Sequence, residues 1–536
     1  MATPTIGVCM IVRDEQDNLT RCLQSVQGLV DDVIVVDTGS TDRTIEIAES
    51  FGARVFHFEW CDDFSAARNE SLRHVETDWV MWLDADDELV EAQPGALRAL
   101  CASEPGPAWG YWVDVRSPYG GDEDLEVTVR HWRLFRNQRG VQFRGRIHEE
   151  PWPPHTIQPE QIESQSQVRV THWGYSSAID VQLQKSARNR RLLELAMADE
   201  PNTALHHFNL GRQLVREGDF PGALRLMERA ADLWQLQGCP PWPFAHAIYS
   251  FAAQAALRGG QLEKAVEVAS RTPADLVSSE LLCHAGEALW RLGRRDEAIA
   301  RLERAWQDPA VVKLHLHDAS TATWQPLLML AGLYDQTERP AQGYERAQRA
   351  IALAPEHPEI LIALAYLAEK LDKSREERLG WLRNLLTGAR DDGFKAQGRA
   401  LLLQLAASDN DPLLMIEALS GETKGITKQQ AILMQAAAHG QLGDRQAQLE
   451  ALSAGCESYP SNANIRLALA ALQQELEMAD LALNTLAAGL DQPDSPAELY
   501  RQLALLLASQ GRAADAANAF ELATRIASGE RALVTA

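Results

Sequence analysis

Towards the end of this chain, small residues return at a fixed interval of 34 positions: Ala436, Ala470 and Ala504 align, and so do the larger Leu452, Leu486 and Phe520. A period of that length is one helix–turn–helix unit. Such a unit is too small to bury its own apolar face and is stable only when neighbours stack on it. The small residues let the two helices of a pair approach closely, and the larger ones are expected to fill the seam between pairs. The same spacing recurs upstream. Residues 204–230 carry Leu210-Gly211 in a first helix, then Ala223 and Ala230 in a second; Gly286, Ala298 and Ala305 repeat it, and Tyr334, Ala350 and Pro355 fit it again. Roughly eight or nine helical pairs are expected, with the stretch 358–425 following the period poorly.

The first third has a different rhythm. Residues 6–12, 33–37, 54–58 and 79–84 are short apolar runs that read as buried strands, and 16–26, 42–51 and 65–75 between them read as helices. Strand–helix alternation implies a mainly parallel sheet covered on both faces, with ligands bound at the carboxyl ends of the strands. The expected organisation is an α/β domain over 1–180, a linker helix over 181–203 and an all-α repeat array over 204–536.

Charge narrows the function. The chain carries a net −24, and residues 1–180 account for −16 of it, with 15 arginines, no lysine and 31 acids. That surface repels polyphosphate and excludes nucleic acid as a partner. No apolar run reaches the ~18 residues a membrane span needs. The opening Met1-Ala2-Thr3-Pro4-Thr5 lacks the basic start of a secretory signal, and the seven cysteines are scattered without a Cys-x-x-Cys pair. These features predict a cytoplasmic protein with reduced thiols. They also set a question: a diphosphate bound in so acidic a domain needs a counter-charge.

Four segments fall at or after strand exits. Val12-Arg13-Asp14-Glu15 follows the first strand and holds no glycine-rich loop, which argues against a dinucleotide fold or a P-loop enzyme. Asp37-Thr38-Gly39-Ser40-Thr41-Asp42 follows the second, where Thr41 or Asp42 would also serve as a helix N-cap. Ala66-Ala67-Arg68-Asn69 opens a helix, and its two polar side chains could equally face solvent. Sharpest is Trp82-Leu83-Asp84-Ala85-Asp86-Asp87-Glu88: four acids in five positions after an apolar strand. Such clusters repel themselves at neutral pH unless a cation neutralises them, and oxygen ligands favour Mg²⁺ or Mn²⁺. A divalent ion answers the counter-charge question; an acid-rich helix start is the plainer alternative.

Taken together, these segments resemble family 2 glycosyltransferases of the GT-A fold over roughly residues 5–180, and the repeats resemble tetratricopeptide units. The resemblance implies a nucleotide-sugar pocket lined by Val12, Glu15, Asp37, Ser40, Arg68, Asn69 and Asp84, with Asp37 and Arg68 at the base, Asp84 at the ribose and Asp86 on the metal. The donor it implies is a UDP-sugar and the reaction an inverting hexosyl transfer. Gly145-Arg146-Ile147-His148-Glu149-Glu150 and Thr171-His172-Trp173-Gly174-Tyr175 look like segments of the subgroup fused to tetratricopeptide repeats, whose layout sublancin-type peptide S-glycosyltransferases share. An inverting transferase needs a base for the acceptor proton. Glu149 is the first candidate, with Asp87 or Glu150 as replacements and His148 beside them; His172 is the candidate second metal ligand, though a histidine there can be purely structural. Arg130, Arg133, Arg136, Arg139, Arg144 and Arg146 are expected to pair in part with Asp122, Glu123, Asp124 and Glu126, leaving one or two for the leaving diphosphate or an anionic acceptor.

Two rival readings remain in view. The array could be an interaction scaffold beside a degenerate transferase domain, since such grooves hold peptides. A nucleotidyltransferase shares the α/β layout, but its chemistry asks for a basic, glycine-rich first turn. If the transferase reading holds, a peptide or protein acceptor selected by the array is expected; dimerisation or support of the catalytic domain is the competing use of the repeats.

Overall fold

A computed structural model describes residues 3–102, 108–119, 122–137, 140–154, 161–173, 179–240, 242, 245–313, 318–490 and 496–528, with the backbone alone for 117–119, 122–128, 179–185 and 319. The chain forms two compact units: Met1–Arg294 with Asp308–Asp318, and Arg295–Gln307 with Ala319–Ala536.

The first unit opens with β1 (Ile6–Val12), α1 (Leu19–Val26), β2 (Asp32–Asp37), α2 (Thr44–Ser50), β3 (Arg54–His57), α3 (Phe64–Arg73) and β4 (Trp79–Trp82). These match the expected strands and helices to within a few residues, except that β3 is a half-exposed edge strand and not a buried one. Strand β1 lies between β2 and β4, parallel to both, so both its faces are covered. Ile6, Val8, Met10 and Val12 pack with Leu19, Leu23 and Val26 of α1 on one side, while Cys9 joins Ile34, Val36, Val80 and Trp82 on the other. A strand buried on both faces has to be apolar throughout, and Ile-Gly-Val-Cys-Met-Ile-Val is. Helix α3 starts where the Asp63 carboxylate accepts the Ala66 N–H at 3.0 Å, which satisfies an otherwise orphaned donor of the first turn.

The sheet continues beyond the alternating region. After β5 (Asp87–Glu91) and α4 (Ala96–Ala102) come β6 (Gly110–Tyr119), β7 (Asp122–Arg136), the short β8 (Gln142–Arg144) and β9 (Glu150–Trp152), and β10 (Ile162–His172). The eight-stranded order is β3-β2-β1-β4-β7-β6-β10-β5, with β8 and β9 forming their own ribbon. Two antiparallel pairings matter for the site. β7 lies beside β4, with Met81 opposite Leu134, and β10 lies beside β5, with His172 opposite Asp87.

Helices follow without interruption by strands. The first unit contains α5 (Ile179–Asp199), α6 (Ala204–Glu217), α7 (Phe220–Leu236), α8 (Ala245–Arg258), α9 (Leu262–Arg271) and α10 (Ser279–Arg291). At Gly211 of α6 a Cβ would stand 2.8 Å from Met227 Cε of α7, so the Met227 tip would have to move aside for any larger residue. Among the described residues, eighteen α-helices run from Ala204 to Ala527, the number that nine pairs require. The stretch 358–425 is helical as well, but it ends in the seven-residue Pro412–Ala418, a departure from pair length that explains the weak period. Ala436, Ala470 and Ala504 are buried, as are Leu452 and Leu486. Phe520 departs from the expectation: it is 46% exposed. It belongs to Ala513–Ala527, the last helix among the described residues. No described helix is long and apolar enough to cross a membrane.

Candidate functional site: an acidic cluster at the strand exits

The exits of β1 and β2 are laced together. Asp14, with a left-handed φ of 53°, donates its N–H to Ser40 Oγ at 3.0 Å and accepts the Thr41 N–H on Oδ1 at 2.7 Å. The Glu15 N–H reaches Thr44 Oγ1 at 2.7 Å, and Thr38 donates its N–H to the Val12 carbonyl at 3.0 Å. Asp37, almost fully buried, accepts the N–H groups of Gly39 and Ser40 and lies 3.5 Å from His57 Nδ1. Val12, Glu15, Asp37 and Ser40 therefore form one rim. Neither Thr41 nor Asp42 is the N-cap of α2: that position is Arg43, without a side-chain cap, and Asp42 accepts the Thr44 N–H at 2.9 Å from one residue before it.

Across from that rim, charge is organised by two buried arginines. Arg68 on α3 donates Nε to Glu149 Oε1 and Nη2 to Asp84 Oδ1, both at 2.5 Å. Arg133 on β7 donates Nη1 to Asp87 Oδ2 at 2.9 Å and Nη2 to Asp84 Oδ2 at 3.2 Å. Both guanidinium groups lie over the Trp82 ring, 4.4 and 3.6 Å from its centroid, where the aromatic face adds favourable electrostatics. Burial opposes the charge on Asp84, yet Arg68 and Arg133 overcome it and hold the carboxyl well below its ordinary range. Asp87 is wholly buried, and besides Arg133 it takes the Asp84 N–H at 2.8 Å and lies 2.9 Å from His172 Nδ1.

Asp86 stands apart from this neutralised pair. Its only charged partner among the described residues is His172, 3.4 Å away. Burial and the charges of Asp84, Asp87 and Glu15 push its pKa up to about 6, against the attraction of His172. Burial alone would lower the His172 pKa; the hydrogen bond with Asp87 and the charges of Asp86, Asp87 and Asp84 outweigh it and raise it to about 8. Asp84, Asp86, Asp87 and His172 each offer a ligand atom within 4.8 Å of the others. Carboxylate oxygens with one imidazole nitrogen form a donor set that suits a hard or borderline divalent ion.

The remaining candidates are placed as follows. Asn69 uses both ends of its amide on the Phe143 backbone, at 2.9 and 2.8 Å, and so ties α3 to β8. His148, in the loop between β8 and β9, has a left-handed φ of 55°. Its surroundings, with Arg212 and Arg216 of α6 nearby, push its pKa down to about 4 and leave it neutral. Gly174 and Tyr175 lie outside the described residues. So do Arg139 and the side chains of Asp122, Glu123, Asp124 and Glu126. Among the described residues, Arg130 pairs with Asp114, Arg133 with Asp84 and Asp87, and Arg146 with Asp199, while Arg136 and Arg144 lie over Trp79 and Trp152. Sequence reasoning did not single out Arg133 or Trp82. The signal that finds them is the β4–β7 pairing, which sets Arg133 beside the Trp82 strand end and is invisible without the sheet.

Residues 7–102 match the model of glycosyl transferase family 2, and 208–275 match a tetratricopeptide repeat. A TPR repeat-containing protein of Synechococcus elongatus is 32% identical over 66% of this chain and 77% of its own length. The SPbeta prophage-derived glycosyltransferase SunS of Bacillus subtilis is 29% identical over 40% of this chain and 50% of its own. A solved glucosyl-3-phosphoglycerate synthase from Mycobacterium tuberculosis, in complex with Mn²⁺ and uridine diphosphate, is 27% identical over 22% of this chain and 45% of its own, with a TM-score of 0.18. With its strand-exit acids on an α/β sheet and its helical array behind, this chain belongs to the family 2 glycosyltransferases fused to tetratricopeptide repeats.

Proposed function

We propose that the chain transfers a hexosyl group, with inversion at the anomeric carbon, from a UDP-sugar to a peptide or protein acceptor bound by the repeat array. The observation that carries this reading is the unequal neutralisation of the acids. Asp84 and Asp87 are matched by Arg68 and Arg133, whereas among the described residues the one charged partner of Asp86 is His172. Asp86 is thus the acid that would hold Mn²⁺ or Mg²⁺, with His172, which also contacts Asp87, as the second ligand beside it. When bound, such an ion would supply the positive charge that a leaving diphosphate requires in an acidic domain.

The chain's own residues take the other tasks. Val12, Glu15, Asp37 and Ser40 form the nucleoside rim; Arg68 borders it and orients Asp84 towards the ribose, while Asn69 fixes α3 against β8. Glu149 is the base. Arg68 Nε occupies its Oε1, and among the described residues no hydrogen bond occupies its Oε2, which is the lone pair that takes the acceptor proton as the acceptor attacks. Asp87 is the poorer base because Arg133, His172 and the Asp84 N–H fill its oxygens and water does not reach it. His148, neutral and adjacent, is the second choice. The assigned organisation is a transferase domain over 1–180, a linker helix over 181–203 and the array from 204, in a cytoplasmic protein; seven free cysteines support that location.

Incubating the full chain with Mn²⁺ and UDP-, GDP- and dTDP-hexoses, and assaying free nucleoside diphosphate, tests the reading. Release from UDP-hexose alone, accelerated by an acceptor polypeptide, is expected. No release from any donor would favour the interaction scaffold.

A further inference from the structure

Four acids crowd positions 84–88, and the fourth has a task of its own. Asp84, Asp86 and Asp87 each bring an oxygen to the ligand group that His172 completes; among the described residues Glu88 is not part of it. Its Oε2 instead accepts the indole N–H of Trp173 at 2.9 Å.

The β5–β10 ladder explains why these two side chains meet. Glu88 stands opposite Thr171, so Trp173, two residues further on, is its diagonal neighbour on the same face. Asp87 and His172 are the directly opposed pair between them, and their side chains meet at 2.9 Å. One step beyond, the Trp173 N–H donates to the Asp86 carbonyl at 3.0 Å. Strand β5 begins at Asp87 and β10 ends at His172, so Asp86 and His172 both lie at the end of the ladder, where strand pairing opens most readily.

Trp173 restrains that end from three sides. Its main chain holds Asp86, Glu88 holds its indole N–H, and the Arg21 guanidinium of α1 lies over its ring, 5.0 Å from the centroid. The segments joined in this way are the two that set His172 Nδ1 3.4 Å from Asp86 Oδ1. We propose that Trp173 and Glu88 form a positioning strap that keeps Asp86 and His172 together for the divalent ion, with Glu88 acting through Trp173 and not as a ligand. The assignment rests on the metal-dependent transferase reading above. Groups that orient metal ligands are worth about 10–100-fold in metal affinity.

Titration of the full chain with Mn²⁺, followed by loss of the free-ion electron paramagnetic resonance signal, tests the strap without any turnover. Trp173→Phe keeps a ring and removes the N–H, Glu88→Ala removes the acceptor, and Glu88→Gln removes the charge but keeps an acceptor. Trp173→Phe and Glu88→Ala should each weaken Mn²⁺ about tenfold. Combining them should cost no more than either alone, because the same bond is lost in all three. Glu88→Gln should stay close to wild type. Unchanged Mn²⁺ affinity in Trp173→Phe overturns the assignment, whatever that variant's stability. So does a loss in Glu88→Gln as large as in Glu88→Ala, which would make Glu88 act by its charge. A wild-type chain that binds no Mn²⁺, or Asp86→Ala binding it as tightly as wild type, overturns the metal-dependent reading itself, so the two failures are distinct.

Discussion

The strand-exit site and the repeat array solve the problem of close packing in opposite ways. The array brings helices together by removing side chains: Ala470, Ala482 and Ala504 are buried with almost no exposed area, and Leu486 seals the seam beside them. The site brings strands and helices together around charge, with Arg68, Arg133, Asp84 and Asp87 all largely withdrawn from water. Apolar seams tolerate local change in proportion to the volume removed. A buried ionic network does not, because deleting one member leaves its partner uncompensated. Damage of similar energetic size should therefore have different consequences in the two regions.

The largest expected effect is on chemistry. Glu149→Gln keeps the shape and the Arg68 contact but removes the proton acceptor. Transfer should fall by about 10²–10⁴ while donor binding persists; unchanged transfer in this variant, with loss in Asp87→Asn, would move the role to Asp87. Next comes Arg133→Met, which strands Asp87 and half of Asp84. A loss of about 3–5 kcal/mol in urea unfolding of the α/β region is expected, together with loss of donor turnover.

In the array, Leu486→Ala should cost about 2–5 kcal/mol, read as faster hydrogen exchange in residues 463–527, with donor turnover intact. If turnover fell in parallel, the contrast between the regions would be wrong. A smaller term depends on pH. His131, crowded by protein and close to Arg133, has its pKa pushed down to about 4. It is neutral in the folded chain, while the unfolded chain takes up a proton near pH 6.5. That contribution to stability is intact above pH 6.5, is lost as pH falls towards 4, and amounts to about 2 kcal/mol between pH 7 and 5. His131→Asn should flatten that slope. Smallest of all, Phe520→Ser should change stability by less than about 0.5 kcal/mol, although it shares its repeat position with Leu486.

Phe520 also shows what the sequence could and could not reveal. Period alone makes it equivalent to Leu452 and Leu486; its exposure in the structure distinguishes it from both. Strands β1, β2 and β4 were legible because burial demands unbroken apolar runs, while the half-exposed edge strand β3 was legible from its place in the strand–helix alternation. The acids were legible because four of them crowd five positions. Their neutralisation was not: Arg133 reaches Asp84 and Asp87 through the β4–β7 pairing, and His172 reaches Asp87 through the β5–β10 register. Both are contacts between residues 46 or more positions apart.

The central claim is that Asp86, the acid left without an arginine, carries the divalent ion that transfer requires. Its most direct test is nucleoside-diphosphate release from a UDP-hexose by wild type and Asp86→Ala, each with Mn²⁺, with EDTA, and with Mn²⁺ restored after EDTA. The account predicts turnover in wild type that EDTA abolishes reversibly, and none in a folded Asp86→Ala. Full wild-type turnover in EDTA, or undiminished turnover in Asp86→Ala, would contradict it.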